Sequence, residues 1–194
     1  MRATRLTCLP TLLSAAVIAA CAATGTPAPA AAPPTSAEIP AWLLEHMKSQ
    51  VGRWETDNAA YKNREEPFDT YGLVWSWGVG ETSLAGTLYG RVGKGENVEF
   101  WNFRIYWHPG TREARVEQWG HAGTLLSGTL RPDGQEDGAD VFELEQTWYV
   151  TSGKTARTRH RTLHREGVQT GGSYDWKDGQ WVKDREYTWR RVAG

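Results

Sequence analysis

The sequence predicts an all-β fold, an antiparallel meander barrel of about ten strands with a short N-terminal helix. Three observations predict it. From Thr70 onward, runs rich in β-branched and aromatic residues alternate with Gly-, Pro- and Asp-containing turn signals. No stretch between those runs is long and helical enough for a crossover, so neighbouring strands pair antiparallel. Several runs reach nine or ten residues, and long consecutive strands favour a closed barrel over a sandwich.

Residues 1–20 read as a signal peptide. Arg2 and Arg5 supply a positive start, and the apolar run Leu9 to Ala20 is too short to span a bilayer. The run ends Ile18-Ala19-Ala20-Cys21, which resembles the lipobox of bacterial lipoproteins. The resemblance implies cleavage before Cys21 and lipidation of that cysteine, several acyl chains giving a stable anchor. Ala22 stands where an aspartate would resemble an inner-membrane retention signal, so the resemblance implies an outer-membrane protein facing the periplasm. Residues 21–38 form an Ala/Pro-rich linker with Pro27, Pro29, Pro33 and Pro34 and no apolar periodicity. Proline biases such a segment to about 3.1 Å per residue, a reach on the order of 45 Å.

Residues 39–194 are then roughly one domain. The two cysteines, Cys8 and Cys21, both precede it, so disulfide and thiol chemistry are excluded from the barrel. The chain carries 22 basic and 23 acidic residues; without Arg2 and Arg5 the balance is 20 against 23, a net charge of −3. A nucleic-acid partner would need a basic face, which this balance does not supply. Eleven tryptophans favour strands and suit the lining of a pocket for flat ligands.

Within the domain, Pro40 suits a helix start, and Leu43 or Leu44, Met47 and Val51 recur at helical spacing. Gly52 can end that helix and begin the first strand, which contains Trp54. Asn58 to Asp69 is polar, contains Pro67 and has no strand pattern, so it reads as a loop and a lid candidate. Nine further strands are expected near Tyr71–Trp77, Ser83–Arg91, Val98–Trp107, Ala114–Trp119, Thr124–Arg131, Val141–Val150, Ala156–His164, Gln169–Trp176 and Trp181–Val192. Pro132-Asp133-Gly134 reads as one of the turns between them.

Two hairpins can be registered from sequence. Asp178-Gly179 suits a two-residue type I′ turn, which sets Trp176 opposite Trp181. A three-residue loop with Gly153 left-handed sets Glu145 opposite Arg159 and Glu143 opposite Arg161 as an outward charged stripe. The other face then carries Phe142, Leu144, Gln146 and Trp148 with His160 and His164, and burial selects this register over a one-residue slip. Alternation likewise gives Trp101, Phe103, Ile105 and Trp107 one face, and Leu73, Trp75 and Trp77 another. The expected ligand-binding residues are therefore Trp75, Trp77, Trp101, Phe103, Trp107, Gln146, Trp148, His160 and His164.

With those residues placed, Gly52 and Trp54 (Gly-x-Trp) and the terminal Arg190 and Arg191 resemble the calycin, or lipocalin-like, barrels of an uncharacterised bacterial lipoprotein group. The resemblance implies that a basic residue of the last strand packs on Trp54. The Trp54 strand also resembles nitrobindin-type barrels, which implies haem held through His160 or His164. Glu55-Thr56-Asp57-Asn58 departs from the glycine-rich continuation of that family. The residues themselves call for no cofactor, and His160 and His164 lie about 13 Å apart on an extended strand, too far to share a metal.

The leading expectation is a membrane-tethered carrier of a small apolar or aromatic molecule. The alternatives are a structural or assembly lipoprotein with a filled barrel, and a small-molecule isomerase or cyclase. In the enzyme His160 or His164 would act as base and Gln146 or Tyr187 would orient substrate. No nucleophile elbow, paired-carboxylate motif or phosphate loop sharpens the enzymatic reading.

Overall fold

The computed structural model describes residues 38–193, so the signal peptide, Cys21 and almost the whole linker lie outside the described residues. Helix α1 (Ala41–Gln50) opens it. Ten strands follow: β1 (Gly52–Asp57), β2 (Thr70–Trp77), β3 (Ser83–Arg91), β4 (Val98–His108), β5 (Glu113–Gly120), β6 (Leu125–Glu136), β7 (Ala139–Tyr149), β8 (Thr155–Arg165), β9 (Val168–Lys177) and β10 (Gln180–Val192). Each pairs antiparallel with its sequence neighbour, and β1 closes the ring against β10. The expected fold class is therefore the observed one. Among the described residues, no helix is long and apolar enough to cross a membrane.

Alternating strand direction gives the barrel two different ends. At the end where β1 begins, α1 is inserted with Leu43 and Met47 fully buried and His46 and Gln50 beside them. Leu43 and Met47 pack with Trp54, Trp75, Leu84, Ile105, Ala114, Val116 and Leu130 in the main apolar core. Burying such side chains contributes roughly 1.5–3 kcal/mol each, which is what holds a short helix with no side-chain N-cap in place. The opposite end carries the 58–69 loop and the 150–154 and 178–179 turns.

A contact between chain ends fixes α1. Trp54 is 2% exposed, and its indole Nε1 donates to the Gln50 carbonyl at 2.8 Å. Arg191, register partner of Trp54, lies 4.6 Å over the indole ring. Its guanidinium donates to the Ser49 carbonyl at 2.5 Å and to the Val51 carbonyl, both orphan acceptors at the helix end. Gly52 turns out of the helix at φ 122°, and a Cβ there would sit 2.8 Å from Arg191 Nη1. The basic residue on Trp54 is thus Arg191, and Arg190 instead pairs in register with Glu55 with its side chain exposed.

Both registered hairpins are observed. Trp176 faces Trp181 with ring centroids 5.0 Å apart, around Asp178 (φ 49°) and Gly179 (φ 82°). Glu145 faces Arg159, Glu143 faces Arg161 and Leu144 faces His160. The ion pairs run diagonally, Arg157 to Glu145 and Arg159 to Glu143. Pro132-Asp133-Gly134 is not a turn. β6 runs through it with a register shift between Pro132 and Gln135, and the turn falls at Asp137 (φ 50°) and Gly138 (φ 74°). The segment holds two Asp-Gly pairs, and the second takes the type I′ turn while the irregularity absorbs the proline, which cannot donate to a ladder.

Arg191→Ala should lower unfolding stability by about 1–2 kcal/mol, from the lost stacking and helix-end hydrogen bonds, while Arg190→Ala stays within about 0.5 kcal/mol. Urea unfolding of both variants checks this, and equal losses would contradict the assignment.

Candidate functional site: a cavity with a neutral floor and a charged mouth

The barrel interior holds a cavity of about 410 Å³ between α1 and the far rim, within the size range of small-molecule sites. It stays open because large rings lie flat on the wall. Trp75 faces Gly86 and Trp101 faces Gly120 across their strand pairs. A Cβ would lie 2.4 Å from the Trp75 ring at Gly86 and 2.7 Å from the Trp101 ring at Gly120. Any side chain there would push the indole into the lumen.

One wall, from β2 to β5, is largely apolar: Leu73, Trp75, Leu88, Trp101, Phe103 and Val116 line it, with Gln118 and Tyr71 toward the mouth end. The opposite wall, from β8 to β10, presents Thr158, His160, Ser173 and Tyr187. His160 pairs with Leu144 on one side and Ser173 on the other. Burial pushes the His160 imidazole below its ordinary pKa, against the opposing pull of Asp175 and Asp184.

The floor is α1 with the ends of β8 and β9. Gln169 Nε2 donates to Gln50 Oε1 at 2.8 Å, and Gln50 Nε2 lies 3.1 Å from His164 Nδ1. His46 and His164 have ring centroids 5.1 Å apart, with Phe142 against both, at 4.3 and 4.9 Å. Burial, then the neighbouring His164, lowers His46 to about 3. Burial lowers His164 to about 4, against Asp140. Both rings are neutral near pH 7.

The mouth is charged. Glu66, from the 58–69 loop, accepts from Arg185 Nη1 at 2.6 Å and from the Tyr71 hydroxyl at 3.2 Å. Arg185 also reaches the Tyr187 hydroxyl at 3.3 Å, which donates to Asn58 Oδ1 at 2.7 Å. Burial works against the Arg185 charge, but its hydrogen bonds to Glu66 and Tyr187 raise its pKa overall. Burial and the Glu66 carboxylate push the Tyr71 phenol up, so it stays a donor. The loop expected as a lid is thus pinned across the rim by an ion pair.

Six expected residues, Trp75, Trp101, Phe103, Trp148, His160 and His164, line this cavity. Three do not. Trp77 and Trp107 share the interior face but stand at the α1 end of their strands, where they pack against the core beneath the helix. Gln146 is 2% exposed, accepting from Gln118 Nε2 at 2.8 Å, so Gln118 meets the cavity in its place. Sequence reasoning missed Phe100. β4 is irregular between its pairs Leu88–Trp101 and Tyr89–Glu99, so Phe100 and Trp101 both line the space. Adjacent aromatics that break a period of two were the available signal. Glu66, Tyr71 and Arg185 were also missed; in β10, Lys183 and Arg185 straddle a second irregularity.

Among the described residues, no group of three His, Cys, Asp or Glu side chains is placed to hold a metal. The closed ten-stranded ring is compatible with the calycin, lipocalin-like architecture. The sequence matches no protein-family model, and no curated protein matches it.

The floor histidines set a pH dependence. Unfolded, each titrates near 6.5; folded, they resist protonation down to about 4 and about 3. Their contribution is complete above pH 6.5 and is lost as pH falls from there through the folded values. Urea midpoints should therefore drop by the equivalent of a few kcal/mol between about pH 7 and about pH 4.5. His46→Leu should reduce that drop.

Proposed function

We propose that this protein is an exported, membrane-tethered barrel that binds or carries a small, largely apolar or aromatic molecule. The observation that carries the reading is the cavity, about 410 Å³, with indole and phenyl rings on one wall and a few uncharged polar groups opposite. A molecule entering it exchanges water for aromatic surface, worth roughly 25 cal/mol per Å² of apolar area. The lipobox-like segment ending at Cys21 and the proline-rich linker support tethering, with the outer membrane facing the periplasm as the expected location. A cavity of this size speaks against a filled barrel that serves assembly alone.

Haem is the weaker occupant. His164 Nδ1 is engaged by Gln50, and His46 and His164 are crowded against Phe142 at the cavity floor. That leaves His160 as the axial candidate. The mouth sets Glu66, Asp175 and Asp184 against Arg185 and Lys177, a sign unsuited to two propionates. These residues do not fit the group, and no chemistry is assigned through it. Among the described residues Asp175 and Asp184 act on His160 only through their charge, and no carboxylate hydrogen-bonds it to complete an isomerase or cyclase pair.

The test is titration with N-phenyl-1-naphthylamine, a neutral apolar fluorophore. The wild type should bind it in the micromolar range, about −8 kcal/mol. Trp101→Ala should weaken binding about tenfold or more and His160→Ala by a smaller factor, both retaining the barrel's circular dichroism. A wild type that binds nothing, or folded variants that bind unchanged, would defeat the proposal.

A further inference from the structure

The cavity floor holds a hydrogen-bond donor with no acceptor, the His164 ring on β8, and its tautomer follows from the α1 residues that face it. Ser49 Oγ donates to the His46 carbonyl at 2.7 Å, which commits its proton and leaves its lone pairs for other groups. Gln50 Nε2 stands 3.2 Å from that Oγ and 3.1 Å from His164 Nδ1, while Gln50 Oε1 accepts from Gln169 Nε2 at 2.8 Å. Reversing the Gln50 amide would set its oxygen against the Ser49 lone pairs. The amide nitrogen therefore faces both Ser49 and His164, so His164 Nδ1 accepts and the ring proton sits on Nε2.

Among the described residues Nε2 meets no hydrogen-bond partner. It is also not one of the polar atoms enclosed by protein, and the ring it belongs to lines the cavity. Beside it His46, 6% exposed, also lines the cavity and leaves its Nδ1 unpartnered. Arg185 is the one cation among the lining residues, and it sits at the mouth bound to Glu66. Asp140, register partner of His164, is exposed at the plugged rim. The floor thus offers a neutral donor and no countercharge for an anion. The cavity walls alone suit any apolar or aromatic molecule; the floor narrows the choice.

We infer that the cavity takes a neutral carbonyl compound with a flat apolar body, its oxygen inserted toward α1 to accept from His164 Nε2–H. A ketone, aldehyde, quinone or neutral amide meets this description; a carboxylate or phosphate brings a charge the floor cannot balance. The inference rests on the carrier reading. Burial also keeps both floor rings neutral, so the donor persists across the physiological pH range.

Three probes of nearly one shape test it: fluorene, 9-fluorenone and fluorene-9-carboxylate, titrated by tryptophan quenching. The wild type should bind fluorenone about tenfold more tightly than fluorene and more tightly than the carboxylate. His164→Phe, which keeps a flat ring, should lose the preference and bind fluorene and fluorenone with equal affinity. Nitrogen-15 NMR of wild-type protein tests the donor without a variant: His164 should carry its proton on Nε2, and that resonance should shift with fluorenone and not with fluorene. Equal binding of fluorene and fluorenone, a preference retained in His164→Phe, or a proton on Nδ1 would overturn the inference while the carrier reading stood. Failure of all three probes and of N-phenyl-1-naphthylamine to bind would overturn both.

Discussion

The seat of α1 is the contact on which the rest of the molecule depends. Trp54 and Arg191 come from the first and last strands, and together they hold the carbonyls of Ser49, Gln50 and Val51. That single junction closes the ring, ends the helix and fixes how deep its inner face lies. His46 and Gln50 are carried on that face, so the position of the cavity floor is set by a structural contact at the C-terminal end of the helix. A cation over an indole contributes modestly by itself. Here it also satisfies helix-end acceptors that would otherwise need water.

Above the floor, interior volume is governed by what stands opposite each large ring. A ten-stranded ring has room that side chains can fill, and eleven tryptophans could have filled it. Glycines under Trp75 and Trp101 let those rings lie along the wall. The lumen is therefore lined with aromatic surface and remains open. Polarity is then distributed along the axis, with neutral imidazole and amide groups at the plugged end and carboxylates with Arg185 at the mouth.

Much of this was legible in the sequence wherever a local rule had one solution. The Asp178-Gly179 turn admits one register, the Gly153 turn admits one once burial excludes a one-residue slip, and the latter placed His160 and His164 inside. Where two local solutions competed, the sequence left the choice to packing. Asp133-Gly134 and Asp137-Gly138 are equivalent as turn signals, and only pairing with β7 decides between them. The irregularity at Phe100 changes which residues face inward, and it shows only in the pairing with β3, between Leu88–Trp101 and Tyr89–Glu99. Alternation places Trp77 and Trp107 on the inner face but cannot say that α1 occupies that end. Glu66 was invisible because its role depends on meeting Arg185, 119 residues away.

The central claim is that the lumen is a binding site rather than a residual void. The most direct measurement is a native mass spectrum of the protein expressed with its full sequence in bacteria, purified gently and compared before and after denaturation. The account predicts a reproducible extra mass of a few hundred daltons, lost on unfolding and absent or reduced in Trp101→Ala. Bare protein in every preparation, together with no uptake of added aromatic ketone, would contradict it.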